Sequence, residues 1–155
     1  MKITTTIGDL WINASDKGLT RVSFSPIDES PEASQEILNE AKHQLIDYLE
    51  GKRKDFQLPL DIQVGTSFQQ SVWYSLEKIP YGETRNYQEV AVSVERPKAI
   101  RAIGQANSVN PLPIVIPCHR VIGKNGKLTG YMGKGEEGLQ IKKQLLALEG
   151  LSFWG

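Results

Sequence analysis

The chain contains one cysteine, Cys118, and two histidines, His43 and His119. A single thiol closes no internal disulfide, which fits a reducing cytoplasm rather than an oxidising compartment. A structural zinc site needs four ligands, and this supply of Cys and His is too small for one. No apolar run reaches the roughly 18 residues that would span a bilayer. The opening Met1-Lys2-Ile3-Thr4-Thr5-Thr6 lacks the apolar segment of a secretory signal. Net charge is also missing: 18 basic residues stand against 18 acidic ones, so no overall field draws the chain to nucleic acid. Internal repeats and low-complexity segments are absent.

What is present suits a soluble globular protein. The 155 residues are 39% hydrophobic and 23% charged, enough for one good core or two small ones. The charge is unevenly placed. Residues 1–65 carry 7 Lys and Arg against 11 Asp and Glu, a net of −4; residues 66–155 carry 11 against 7, a net of +4. An anionic partner would therefore meet the C-terminal half.

Ile3 to Thr6, Leu10 to Ala14 and Leu19 to Phe24 read as short strands separated by turns at Gly8-Asp9 and Asp16-Lys17-Gly18. Ser30-Pro31 offers a helix start. Ile37, Leu38, Ala41, Leu45, Tyr48 and Leu49 then recur at helical spacing until Gly51. His43 lies on that helix as a structural residue. Lys52 to Gly65 reads as a connection. Thr66-Ser67-Phe68-Gln69 matches a capping box, opening a helix with the stripe Phe68, Val72, Leu76 and Ile79. Trp73 and Tyr74 read as packing groups.

Asn86 and Glu89 form a second capping pair before Val90, Ala91 and Val94. After a short turn, Arg96-Pro97 starts a helix over Lys98 to Ala106. Two short helices around a tight turn fit a DNA-binding helix-turn-helix as well as an ordinary packed helical pair. Ala99, Ala102, Gly104 and Ala106 would let the second helix approach a sugar-phosphate backbone, with Lys98 and Arg101 supplying charge.

The chain turns on Pro113-Ile114-Val115-Ile116-Pro117-Cys118-His119-Arg120-Val121-Ile122. Ile114 to Ile116 reads as a buried strand, stopped by Pro117, which has no N–H for a ladder bond. Cys118 would sit at its end, fixed by packing yet at the edge of the element. That placement suits a nucleophile; a lone intracellular cysteine also serves as a small buried hydrophobe. Lys124-Asn125-Gly126-Lys127 reads as a hairpin turn returning Leu128 beside Val121. Thr129 to Gly138 reads as a glycine-rich loop near the thiol, and Leu139 to Leu148 as a last helix closed by Gly150.

Together these pieces resemble the O6-alkylguanine-DNA alkyltransferases, or methylated-DNA–protein-cysteine methyltransferases, over Thr66 to Gly150. The most specific stretch is Asn110 to Ile122. It stands in order with Tyr81-Gly82, Tyr87, the Arg101 helix, Gly130-Tyr131 and Leu145-Leu146-Ala147-Leu148-Glu149-Gly150. The resemblance implies an α/β protein of two domains. A small ribonuclease-H-like sheet-plus-helix domain spans 1–62, and a mainly helical helix-turn-helix alkyltransferase domain spans 66–155. It implies direct-reversal DNA repair, a single-turnover transfer of the alkyl group from O6-alkylguanine to Cys118 with the nucleotide flipped out. Activity on O4-alkylthymine is left open. The expected partner is double-stranded DNA carrying O6-alkylguanine, engaged by a monomer with no cofactor, metal or membrane.

Carried over residue by residue, Cys118 accepts the alkyl group, and His119 with Glu149 forms the relay that deprotonates it. Asn110 is the hinge between helix, thiol loop and relay. Arg101 is a finger inserted into the base stack from a helix whose Lys98, Ala99, Ala102 and Gly104 meet DNA. Tyr87 crowds the target phosphate and donates a proton to the departing guanine. Tyr131, Met132, Val121 and Pro113 line the base pocket, with Lys142 supporting its charge balance. The chemistry asks for such groups independently. A thiol with a pKa of about 8.5 is mostly protonated at neutrality and needs a base. That base needs a carboxylate to orient it. Two departures from the family pattern stand out. The chain is longer through Lys134-Gly135-Glu136-Glu137-Gly138, read as a mobile pocket border with Glu136 and Glu137 in solvent or paired with Lys134 or Lys143, and Glu95 replaces a common turn glycine.

Overall fold

The computed structural model describes residues 1–152; the expected domain end at 155 lies outside them. Two compact units divide the chain, Met1–Val64 and the part from Gly65 onward.

In the first unit, β1 (Lys2–Thr5), β2 (Gly8–Ala14) and β3 (Leu19–Ser23) form an antiparallel sheet in that order. Pleating turns alternate side chains inward, so Leu10, Ile12 and Ala14 of β2 are buried. Helix α1 (Gln35–Leu49) covers them with Leu38, Ala41, Leu45, Tyr48 and Leu49. The helix begins later than Ser30-Pro31. Ser30 is held by Asn13, whose amide donates to Ser30 Oγ at 2.9 Å and accepts from Ser30 N at 2.9 Å. Ser34 caps α1 instead, accepting from Ile37 N at 3.2 Å. His43 is exposed, 4.0 Å from Asp47.

The second unit opens on α2 (Ser67–Leu76), with both capping-box bonds between Thr66 and Gln69 formed. Val72, Trp73 and Leu76 are buried, and Trp73 Nε1 donates to Ala106 O at 2.9 Å. Tyr74 corrects its packing assignment: it is 64% exposed, with Lys78 over its ring. The short β4 (Arg85–Asn86) leads into α3 (Tyr87–Ser93), capped by Asn86 and Glu89. α3 ends in a Schellman turn, with Glu95 N donating to Val92 O and Arg96 N to Ala91 O. Glu95 holds φ 60 there, the conformation that glycine would adopt without strain. The next helix, α4 (Ile100–Ser108), starts beyond Lys98 and Ala99, which belong to the turn. At its other end it takes in Asn107 and Ser108, expected in the loop.

The expected strand Ile114 to Ile116 is a turn. Only an isolated bridge joins Pro113 to Ile116, and Ile114 has φ 76. The backbone finds its partners locally. Asn110 Nδ2 donates to Ile116 O at 2.9 Å, and Asn110 Oδ1 accepts from Leu112 N at 2.9 Å. A β-branched residue in the left-handed region costs on the order of 1–3 kcal/mol and persists only where its surroundings force it. The strand nearby is β5 (Val121–Ile122), after the cysteine, pairing in parallel with β4. It thus ties the start of α3 to the thiol segment. The Lys124–Gly126 turn closes through Gly123 N to Lys127 O at 2.6 Å, but no strand follows; Leu128 packs with Ile122 and Leu146. Helix α5 (Gly135–Leu148) begins four residues before Leu139 and takes in the last four residues of the expected glycine-rich loop.

Candidate active site

Cys118 opens a 3₁₀ turn, Cys118–Arg120, immediately after Pro117. The residue is 3% exposed and lies on the wall of a cavity of about 420 Å³. Tyr87, Gly104, Asn107, Tyr131 and Met132 share that wall. Burial pushes the thiol up to about 11, opposed by the Asn110 side chain and the charge of Lys142. At neutrality it therefore rests protonated. A thiol so placed reacts only if a neighbour removes its proton.

A candidate for that neighbour is next in the chain. His119 is fully buried, and its Nε2 lies 2.8 Å from Glu149 Oε2, at the C-cap of α5. Burial lowers the affinity of His119 for a proton, against its hydrogen bond to Glu149, which raises it. The imidazole is thus held neutral and oriented by a carboxylate, an arrangement that suits a general base. Asn110 braces the same turn through its two backbone bonds.

Lys142, 1% exposed on α5, donates to Val121 O at 2.6 Å and Gly130 O at 3.0 Å. Its pKa falls to about 8 through burial, so it still carries charge at neutrality. Tyr87 Oη is 2.8 Å from Thr129 Oγ1, and burial raises its phenol pKa, so the phenol stays protonated at neutrality. Met132, with φ 55, brings its Sδ to 3.8 Å from Cys118 Sγ. Val121, Pro113 and Lys142 are buried but are not among the described residues lining the cavity.

On α4, Arg101 is exposed, with Ala102 and Gly104 half-buried; Lys98 is exposed and Ala99 half-buried in the preceding turn. Ile100 and Gly104 of α4 also border the cavity, so this helix and the thiol meet at one opening. Glu136 and Glu137 are exposed, in the first turn of α5 rather than in a loop. Gly138 packs so closely on the Tyr131 carbonyl that a Cβ would collide with it, which ties the longer segment to the cavity wall.

Sequence reasoning overlooked three participants. Arg120 is 7% exposed and grips Glu149. Gly82 N donates to Glu149 Oε1 at 2.8 Å. Asn107 lines the cavity with a buried Oδ1 that has no hydrogen-bond partner. Arg120, adjacent to His119 in the motif, was the one with a readable signal. Asn107 looked like part of a polar loop, and Gly82 contributes only backbone.

Among the described residues no group of three or more His, Cys, Asp or Glu is placed to hold a metal ion, and no helix is long and apolar enough to cross a membrane. The 6-O-methylguanine DNA methyltransferase DNA-binding domain matches residues 67–151, and the ribonuclease-like domain of the same family matches 2–62. The constitutive methylated-DNA–protein-cysteine methyltransferase of Bacillus subtilis strain 168 is 49% identical over 158 residues, covering 96% of this chain and 93% of its own. The methylated-DNA–protein-cysteine methyltransferase of Methanosarcina acetivorans is 46% identical, with 93% of each chain covered. Among solved structures, Mycobacterium tuberculosis OGT in complex with DNA superposes with a TM-score of 0.82 at 41% identity, covering 96% of this chain and 90% of that one. With both domains matched and identity near one half across nearly its whole length, this chain belongs to the 6-O-methylguanine DNA methyltransferase family.

Proposed function

We propose that the protein repairs DNA by direct reversal, moving the alkyl group of O6-alkylguanine in duplex DNA onto its own Cys118. One observation carries this reading: the thiol lies on a cavity bordered by α4 and is followed in the chain by His119, buried and paired with Glu149. The exposed Arg101 of that helix suits the space left by an extruded nucleotide. Extrusion costs a few kcal/mol of stacking and pairing, which such a side chain offsets. His119 takes the thiol proton, and Cys118 Sγ bonds the alkyl carbon as the bond from that carbon to guanine O6 breaks. Tyr87 donates a proton to the guanine, which leaves neutral. The thioether has no leaving route, so each molecule reacts once.

The first 62 residues serve as a structural domain and residues 66–155 carry the chemistry. All the groups invoked come from one chain, which suits a monomer, and a reducing cytoplasm suits an acceptor thiol. The test is peptide-resolved mass spectrometry after incubation with duplex DNA containing O6-methylguanine. One CH2 is expected on the Cys118 peptide and none anywhere in Cys118→Ala. Modification elsewhere, or none at all in the native protein, refutes the reading.

A further inference from the structure

The Glu149 carboxylate serves more than His119. Arg120 Nε approaches its Oε1 at 2.9 Å and Oε2 at 3.1 Å, and Nη2 reaches Oε2 at 3.0 Å. The fourth contact, Nη1 to Ile79 O at 2.7 Å, anchors the guanidinium to the turn that follows α2. Tyr81 lies beneath it, with the guanidinium carbon 5.8 Å from the ring centre. Glu149 Oε2 is therefore shared between a permanent cation and the imidazole that stands 2.8 Å away.

We propose that Arg120 is a positioning residue that sets the working pH of the transfer: by sharing Glu149 with His119, it fixes how tightly His119 holds the proton taken from Cys118. This rests on the alkyl-transfer reading and adds a residue to it. A carboxylate engaged by His119 alone would stabilise the imidazolium strongly, and His119 would charge near neutrality and cease to act as a base. Engaged also by Arg120, the carboxylate still orients the ring but pulls less on its proton. The guanidinium charge acts in the same direction through space.

The other groups facing His119 agree with this account. Lys142 of α5 is a second cation and also disfavours the imidazolium. Cys118 precedes it in the same turn. Tyr81 interacts with both Glu149 and Arg120, and burial raises its phenol pKa, so it remains neutral. α2 turns Val72, Trp73 and Leu76 inward and adds no buried charge there. Glu149 is the one group that favours the charged ring, and Arg120 holds it most extensively. Stability alone does not account for a buried arginine gripping the carboxylate beside the base, since apolar replacements of such ion pairs are often neutral or stabilising.

The experiment measures the rate of benzyl transfer from free O6-benzylguanine to Cys118 against pH, which removes DNA binding from the readout. In the native protein the acid limb is expected below the ordinary histidine value of 6.5, in the direction that burial of His119 sets. In Arg120→Met it should move up by about one pH unit, making transfer about tenfold slower on the limb than the change in plateau explains. Arg120→Lys keeps a cation but loses the fork, so its limb should move the same way by less. If Arg120→Met fails to fold, Arg120→Lys carries the test. A lowered plateau with an unmoved limb in the folded variant, or a limb moved to lower pH, overturns the proposal. Failure of the native protein to accept the benzyl group would instead refute the transfer reading itself.

Discussion

The two units bury different things. In the first, the interior is made of Ile3, Leu10, Ile12, Leu19, Val22, Leu38, Ala41, Leu45 and Tyr48. Its buried polar residues close the chain on itself: Ser15 bonds the Gly18 turn, and Gln44 bonds the backbone of Gln57. In the second, His119, Arg120, Lys142 and Glu149 are all less than 8% exposed. Burying charge is expensive even when it is paired, and well-packed apolar residues usually do as well or better for stability. The first unit is built as a fold needs. The second carries a charged interior that a fold does not need, which fits the proposal that the chemistry lies there.

Three substitutions sharpen this contrast. Glu149→Gln should have the largest effect. It removes the negative charge and one of the two acceptor oxygens shared by His119, Arg120 and Gly82, and leaves a cation buried without its partner. Folding stability should fall by about 3–5 kcal/mol. Transfer by the folded fraction should slow about a hundredfold to ten-thousandfold, as for loss of a positioned base. Single-turnover kinetics and thermal unfolding check both; a stable variant with native rate would show that the buried charges are merely structural.

Arg101→Ala comes next. Arg101 is exposed on α4, so its loss should leave stability nearly unchanged. Repair in duplex DNA should slow about tenfold to a hundredfold, the weight of a few kcal/mol of extrusion. Reaction with free O6-benzylguanine should stay near the native rate. Equal losses on both substrates would remove the finger role and reduce α4 to a charged surface.

Leu45→Ala should affect transfer least. The side chain is fully buried in the first unit, and its loss should cost about 2–5 kcal/mol of stability. Where the protein remains folded, the rate at Cys118 should equal the native one. A slowed reaction would make the first unit a participant in the chemistry.

Local signals made much of this legible. The capping pairs Thr66–Gln69 and Asn86–Glu89 announce α2 and α3, and both boxes form. Alternation and helical spacing locate the sheet and α1. The failures share a cause. At Ile114 to Ile116 a β-rich run was read by propensity, but Asn110 satisfies the backbone and the chain turns, with Ile114 held in the left-handed region. At Ser30 a good cap was already engaged by Asn13. In both places a side chain distant in sequence, or one usually read as loop, took the hydrogen bond that local rules assign elsewhere. The site shows the same limit. Cys118 and His119 stand adjacent in the sequence, whereas the grip of Arg120 on Glu149 exists only once α5 brings its C-cap to the thiol turn.

The most direct test of the central claim is stoichiometry. A buried thiol raised to about 11 by its surroundings, deprotonated by His119 and ending as a thioether, should react once and stop. Protein titrated with an excess of duplex DNA carrying O6-methylguanine should remove one methyl group per molecule, with the loss of the free Cys118 thiol matching the lesions repaired. Removal continuing past one equivalent, with the thiol still free, would contradict the account and make Cys118 a turnover catalyst.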